Sequence, residues 1–203
     1  HVRAALLDAA RQLPATTPTE DLKRQLLRLA IDADVVLDLH CDTDAVMHVY
    51  ALTPQAAQAE QLGAAMGAQA VLLATESGDS PFDEACSTPW LALQARFPDH
   101  PIPLGCFSAT VELRGETDTH HGLAERDAEG LCLFLARQGL IEPDALTAGM
   151  PRAACRSTPL SGSEPITAPH AGVVVFHRLP GEHVAAGDLI ADLVDAGTGR
   201  ITP

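Results

Sequence analysis

The stretch ADVVLDLHCD, residues 33–42, decides the fold. Its first part, residues 33–39, is a short apolar run between a helical segment and polar residues, which is typical of a buried strand. Side chains alternate along a strand, so Asp38 and His40 share one face while Leu39 points to the other. Ligands of α/β sheets bind at the carboxyl ends of the strands. The end of this strand is therefore the first candidate site.

A histidine at such a strand end has two interpretations. A neutral imidazole is a good zinc ligand, and a neighbouring carboxylate such as Asp38 commonly fixes the tautomer of the ligating ring. Alternatively, His40 is a hydrogen-bonded residue that caps the strand without binding a metal. The local sequence leaves both interpretations open.

The segments around this strand alternate between helical and extended patterns. Apolar residues at helical spacing predict helices, and short apolar or β-branched runs predict strands. Strands that alternate with helices indicate an α/β sheet with covered faces. The predicted helices are residues 2–13, 20–32, 54–67, 90–96 and 119–140, and the predicted strands are residues 33–39, 45–52, 70–74 and 108–113.

The second candidate site is Glu112, which lies in the stretch TVELRG, residues 110–115. Glutamate is among the poorer strand formers, and its burial costs desolvation free energy unless it has a partner or faces a cleft. A buried Glu112 therefore suits general acid/base catalysis. Arg114 lies two residues on, on the predicted same face, and could pair with Glu112 or grip a substrate carboxylate. A structural ion pair and an exposed edge strand remain the alternatives.

The composition changes after about Arg152. Residues 157–203 have short alternating apolar runs punctuated by proline and glycine, which predicts a small all-β module. We therefore divide the chain into a first domain, residues 1–152, and a β module, residues 157–203, with the linker within residues 141–160.

Charge and composition exclude several classes of function. The net charge is -14, with 27 acidic against 13 Lys and Arg residues, so the surface repels nucleic-acid phosphates. No apolar run reaches the roughly 18 residues that a membrane span needs. Five cysteines without a C-x-x-C pair indicate reduced thiols and predict a cytoplasmic location.

Four motifs, taken in order, resemble the succinylglutamate desuccinylase/aspartoacylase family of the zinc-carboxypeptidase-like superfamily. The resemblance covers essentially the whole chain and implies a zinc-exopeptidase-like mixed sheet flanked by helices. Residues 167–195, which begin TAPHAGVVV, resemble one half of a biotinyl/lipoyl-type barrel-sandwich. The motifs are VLDLHCD at 36–42, HVY at 48–50, SGDSPFDEACSTPW at 77–90 and TVELRGETD at 110–118.

This resemblance implies a zinc hydrolase that cleaves N-acyl amino acids or related small amides. One zinc ion is then held by an early H-x-x-E pair and a later histidine, which His40 matches. Glu112 matches the carboxylate that deprotonates the attacking water and then protonates the leaving amine. The loop at residues 76–89 and Trp90 are expected near the substrate cleft, and His48 is expected to line the pocket. Family members often form dimers or larger assemblies, so a homo-oligomer is possible.

The H-x-x-E pair is the main departure from the family pattern, because no histidine of this chain has a glutamate three residues on. We therefore expect the segment that carries the pair to precede residue 1 and the β module to be incomplete at its end. Lys23 is the only lysine, so the module has no biotin or lipoate attachment site. Two alternatives stay open: a metallocarboxypeptidase acting on short peptides, and an inactive binding or scaffold homologue. Asp79, Asp83 and Glu84 form an acidic loop that we expect to be solvated.

Overall fold

The computed structural model describes residues 2–78, 81–142 and 151–203. They form a five-stranded mixed sheet with helices on both faces and a separate three-stranded sheet. The helices are α1 (Val2–Gln12), α2 (Pro18–Ala30), α3 (Ala56–Met66), α4 (Phe82–Arg96) and α5 (His121–Arg137). The strands are β1 (Val35–Asp42), β2 (His48–Leu52), β3 (Ala70–Ala74), β4 (Phe107–Gly115), β5 (Ser157–Pro159), β6 (Val173–Phe176), β7 (Ala191–Val194) and β8 (Ile201–Thr202).

The larger sheet has the strand order β1-β4-β2-β3-β5. Strands β1 and β4 are parallel, β2 runs antiparallel to β4, and β3 and β5 run parallel to β2. This confirms the prediction of a mixed α/β sheet flanked by helices. Because β2 reverses direction beside β4, its first residue lies next to the carboxyl ends of β1 and β4.

One face of this sheet is covered by α3 and α5. Alternate strand residues such as Val49 and Val111 point to this face and are fully buried, and Phe134 of α5 packs on Phe107 with ring centroids 5.5 Å apart. A Cβ added at Gly130 would lie 2.7 Å from the carbonyl oxygen of Ala65. The absence of a side chain at Gly130 therefore lets the two helices approach closely.

The opposite face is covered near the amino ends of β1 and β4 by α4, and α1 and α2 pack beside it. Val36, Cys86, Trp90 and Cys106 form the core there. Trp90 is 3% exposed, and a Cβ at Gly105 would lie 2.4 Å from its ring. The ring of Trp90 is therefore enclosed in this core, and its expected position near the substrate cleft stays a prediction.

Helix α4 begins eight residues before the helix predicted at 90–96, within the segment expected to be a loop. Pro89 lies inside it, and proline is usually read as a helix breaker because it has no N–H to donate. Two hydroxyl groups donate hydrogen bonds to backbone carbonyls of the preceding turn. The Ser87 hydroxyl donates to the carbonyl of Asp83, and the Thr88 hydroxyl donates to the carbonyl of Glu84. Burial of one helix face and these local bonds outweigh the proline.

The first residues that the sequence assigned to the β module pair with the larger sheet, and the division into two domains stays a prediction. Residues 157–159 form β5, which pairs in parallel with β3 and so belongs to the larger sheet. The three strands that follow, β6, β7 and β8, are antiparallel neighbours, and every residue of β6 is exposed. A small antiparallel sheet is thus present, while the barrel-sandwich form stays a prediction.

No helix among the described residues is long and apolar enough to span a bilayer.

Candidate active site

Three strands bring His40, Glu112 and His48 into one row across the sheet. His40 of β1 is in register with Glu112 of β4, and Glu112 is in register with His48 of β2. Residues in register on adjacent strands point to the same face, so the three side chains lie side by side. The row lies at the carboxyl ends of the parallel strands β1 and β4, where the sequence predicted a site.

A second row lies one pleat deeper on the same face. It consists of Asp38, Thr110 and Tyr50, which are in register across β1, β4 and β2. Sequence reasoning missed Thr110 and Tyr50. Their only signal was their position two residues from Glu112 and His48 on neighbouring strands, which becomes informative once the strand pairing is known.

His40 lies between two carboxylates. Its Nε2 is 3.1 Å from Asp38 Oδ1, and its Nδ1 is 3.8 Å from Glu112 Oε1. The His40 side chain is 52% exposed, whereas the carboxylates are 20% and 14% exposed. Of the two neutral tautomers of the ring, the Asp38 contact favours the one with the proton on Nε2, which leaves the lone pair on Nδ1. His40 therefore presents one nitrogen donor beside Glu112.

Glu112 is nearly buried, and its Oε2 has no hydrogen-bond partner among the described residues. Such an orphaned carboxylate oxygen is uncommon, because buried polar atoms normally have a partner. The ion pair with Arg114, which the sequence allowed as an alternative, is not formed. An unpartnered carboxylate oxygen beside an exposed imidazole is suited to accept a proton from a water or substrate.

Arg114 leaves the site because the strand carries one extra residue. Between the pairs His40–Glu112 and Asp42–Gly115, β4 has one residue more than β1, and Arg114 adopts a φ of 75°. This bulge turns its side chain towards α5, where it donates two hydrogen bonds to Asp127, at 3.1 and 2.5 Å. The side chain of Arg114 therefore does not share the face of Glu112, and a role in binding a substrate carboxylate stays a prediction.

His48 ends the first row as a buried residue, 7% exposed. Its Nδ1 lies 2.8 Å from the carbonyl oxygen of Val46, and its ring packs edge-on against Tyr50 with centroids 5.1 Å apart. Burial, and then the charges of Glu112 and Asp42, raise the pKa of Tyr50. His48 is thus the buried end of the row and packs against the Tyr50 ring.

A cavity of about 220 Å³ opens beside His40. The first turn of α4 forms one wall with Asp83 and Glu84, which are 5% and 8% exposed. The expectation that these two residues are solvated is therefore wrong, whereas Asp79 lies outside the described residues. The other lining residues are His40, Tyr50, Ala51, Leu72, Ala74, Ser77, Pro81, Thr110 and Leu160.

Two interactions define the acidic wall. Glu84 Oε1 accepts a hydrogen bond from the backbone N–H of Ser77, at 2.7 Å. Burial is the main cause that raises the pKa of Asp83, and the charges of Glu84 and Asp38 raise it further. The acidic residues Asp83 and Glu84 therefore make the lining of the cavity electronegative.

The donor set for a metal is incomplete in the described part of the chain. There, no three His, Cys, Asp or Glu side chains come together in a way that could hold a metal ion. His40 fits one ligand position, because its side chain is about half exposed and a proton on Nε2, beside Asp38, would leave Nδ1 to coordinate a metal. Any bound ion needs further ligands in addition to His40.

Comparison with known proteins identifies structural relatives. No protein-family model matches the chain. No curated protein matches it either. A succinylglutamate desuccinylase/aspartoacylase family protein from Shewanella amazonensis superposes with a TM-score of 0.83 at 26% identity, over 98% of this chain and 56% of that one. A second such protein, from Shewanella frigidimarina, gives a TM-score of 0.81 at 22% identity, over 97% and 53%.

A third similar structure is the ectoine utilization protein EutE (DoeB) from Ruegeria pomeroyi. Its TM-score is 0.60 at 18% identity, over 94% of this chain and 57% of that one. The chain thus spans a little over half the length of the structures it matches. The resemblance to succinylglutamate desuccinylase/aspartoacylase family proteins that the motifs indicate is confirmed by these structures.

Proposed function

We propose that this chain provides the general acid/base and one metal ligand of a zinc-dependent hydrolase that deacylates N-acyl amino acids or related small amides. The observation that carries the proposal is the pairing of His40 with Glu112 on adjacent parallel strands. Their facing atoms are 3.8 Å apart, and the second oxygen of Glu112 is buried without a hydrogen-bond partner in the part of the chain that the structure describes.

Glu112 is suited to move the proton in amide hydrolysis. Its Oε2 accepts a proton from the attacking water as the water oxygen bonds to the amide carbon. The same carboxyl group then gives the proton to the amine nitrogen as the C–N bond breaks, so the products are a carboxylic acid and an amine. General acid/base catalysis of this kind contributes about 10²- to 10⁴-fold to a rate.

His40 and Asp38 are suited to hold and orient a zinc ion. Asp38, 3.1 Å from Nε2, directs the proton to that nitrogen and leaves Nδ1 for the metal. A bound zinc ion supplies Lewis acidity that polarises the scissile carbonyl. Two more protein ligands are expected in a catalytic zinc site, so they come from residues other than those gathered around His40.

The names of the similar proteins support a small-molecule deacylase. Two of them are named for succinylglutamate desuccinylase and aspartoacylase, and a related structure is of EutE (DoeB) with product bound. The cavity beside His40 is small, which suits a low-molecular-weight amide better than a folded protein. A homo-oligomeric state is part of the proposal and rests on the resemblance alone.

The test uses the complete gene product and separates metal binding from turnover. We expect one zinc per chain by elemental analysis and hydrolysis of at least one N-acyl amino acid in a panel that also contains dipeptides. Glu112→Gln should keep the zinc and lower kcat by about 10²-fold or more, because general base and ligand are different residues.

Three results would contradict the proposal. Absence of zinc from the purified protein removes the metal mechanism. Loss of zinc in Glu112→Gln makes Glu112 a ligand instead of the base. Hydrolysis of dipeptides without any N-acyl amino acid replaces the deacylase with a carboxypeptidase.

A further inference from the structure

A tight turn of the β module contacts the larger sheet close to the candidate site. In this turn, Leu179–Glu182, the backbone N–H of Glu182 donates to the carbonyl of Leu179, at 3.2 Å, and Gly181 has a φ of 87°. Proline in the second position and glycine with a positive φ in the third are typical of a type II turn. The shape of the turn is therefore set by its own sequence, Leu-Pro-Gly-Glu.

Gly181 packs on two residues that precede neighbouring strands of the larger sheet. A Cβ at Gly181 would lie 3.1 Å from Cγ1 of Val46 and 2.9 Å from Oε1 of Gln69. Val46 lies two residues before β2, and Gln69 lies directly before β3. Because β2 and β3 run antiparallel to β4, their first residues lie at its carboxyl end. The turn thus contacts the edge of the sheet at which Glu112 lies.

Val46 also holds the ring of His48. The carbonyl oxygen of Val46 lies 2.8 Å from His48 Nδ1. A carbonyl oxygen can only accept a hydrogen bond, so Nδ1 carries a proton. His48 is in register with Glu112 and packs against Tyr50, which lines the cavity of the site. The side chain of Val46 therefore meets the turn, while its carbonyl group orients a buried ring of the row.

We propose that the turn Leu179–Glu182 is a positioning element of the site, and that it acts through Val46 on the ring of His48. Its effect on turnover rests on the proposed function, whereas its effect on the His48 ring does not. Misplacement of a group by about 1 Å can lower a rate by about 10²-fold, so a small displacement of Val46 is enough to be measured.

Two glycine substitutions separate this contact from backbone strain. Gly181→Ala adds a methyl group that would collide with Val46. Gly187→Ala is the matched control, because Gly187 has a φ of 91° and the third position of the turn Ala185–Asp188. No atom of the described residues lies within 4 Å of a Cβ added there. Both variants therefore share the strain of a positive φ, and the contact with Val46 distinguishes them.

The first measurement is the NMR spectrum of the histidine ring nitrogens in the complete protein, labelled with ¹⁵N-histidine. The signals of His48 are identified by their loss in His48→Gln. Wild type and Gly187→Ala should show the proton of this ring on Nδ1, and Gly181→Ala should show a mixture of tautomers. A wild-type ring without a proton on Nδ1, an unchanged spectrum in Gly181→Ala, or equal changes in both glycine variants overturns the inference.

The second measurement is the hydrolysis of an N-acyl amino acid that the wild type cleaves. Gly181→Ala should lower kcat by about tenfold or more and leave KM within about twofold, because positioning acts mainly on the transition state. Gly187→Ala should keep the wild-type values. Equal kcat in the three proteins overturns the positioning role and leaves the deacylase standing. If the wild type hydrolyses no amide, the proposed function fails and the ring spectrum alone decides the inference.

A double variant tests the path through Val46. Val46→Ala removes the Cγ1 atom that the new methyl group would meet, whereas Gln69 ends in a flexible amide that can move aside. In the Val46→Ala background, Gly181→Ala should therefore change the His48 spectrum and kcat by about half as much or less. An undiminished effect of Gly181→Ala in that background overturns the assignment of Val46 as the link.

Discussion

The two faces of the five-stranded sheet are built from alternate residues of the same strands, yet they differ in what they bury. On the face under α3 and α5, here called the closed face, Val49, Val111 and Phe134 are fully buried among apolar neighbours. On the opposite face, here called the site face, the same strands present His48 and Glu112. Successive residues of one strand therefore point alternately into the apolar core of the closed face and into the polar row of the site face.

The difference shows where stability and chemistry reside. The closed face gathers the large apolar side chains that favour folding. The site face keeps the partly exposed His40 and the unpartnered Oε2 of Glu112, which lower stability but suit proton transfer. Changes on the closed face should therefore act on folding, and changes on the site face on turnover.

The largest expected effect on stability is on the closed face. Phe134→Ala removes a fully buried ring that packs on Phe107, and the cavity left behind should lower the free energy of unfolding by about 3–5 kcal/mol. Phe176→Ala is the matched control, because that ring is 67% exposed and should change stability by less than about 0.5 kcal/mol. Urea denaturation monitored by circular dichroism measures both.

Similar losses in the two phenylalanine variants would show that the closed face is not the main source of stability. A large loss of stability in Phe176→Ala would also mean that this ring is buried against residues other than those that the structure describes. Either result would weaken the contrast between the two faces.

At the bulge, the side chains of β4 no longer alternate regularly between the two faces of the sheet. The strain in the backbone of Arg114 can be measured by substitution. Arg114→Gly and Arg114→Ala both lose the ion pair with Asp127, but only glycine adopts a φ of 75° without strain. The alanine variant should therefore be about 1 kcal/mol less stable than the glycine variant.

Gly139→Ala tests the same effect at a second position. Gly139 has a φ of 72° and no atom within 4 Å of an added Cβ, so strain alone should lower the stability. If the alanine and glycine variants at 114 are equally stable, the backbone there is not strained.

Most of the sheet could be predicted from the sequence because its strands are short apolar runs. The strand at 70–74 was placed at its observed limits, and the strand containing Glu112 to within a few residues. Helix α4 was missed at its start because two acidic residues and Pro89 together resemble a loop. Burial of Asp83 depends on the neighbouring strands and leaves no local signal.

The candidate site was predictable where it depends on strand alternation and not where it depends on pairing. Alternation within β1 correctly placed Asp38 beside His40. The registers that bring Tyr50 and Thr110 to the same face depend on which strands are neighbours. The one-residue bulge at Arg114 adds an offset that no periodic pattern contains, so the sequence placed that side chain on the wrong face.

The smallest expected effect lies in α2, at the outer margin of the site face. Glu20 caps the start of this helix: its carboxylate accepts hydrogen bonds from the Thr16 hydroxyl and from the backbone N–H groups of Thr16 and Thr17. These bonds, led by the Thr16 hydroxyl, lower the pKa of Glu20 to about 2 from an ordinary value of 4.5. The stabilisation is therefore complete above pH 4.5 and is lost as the pH falls towards 2.

Helix α2 contains no fully buried residue, unlike the helices of the closed face, so we expect polar contacts at its start to contribute to its stability. Glu20→Gln should remove the part of the acid-induced loss of stability that falls between these two pH values. Glu125→Gln, an exposed glutamate on α5, is the control and should leave the profile unchanged. An NMR titration that places the pKa of Glu20 near 4.5 would show that α2 does not depend on this cap.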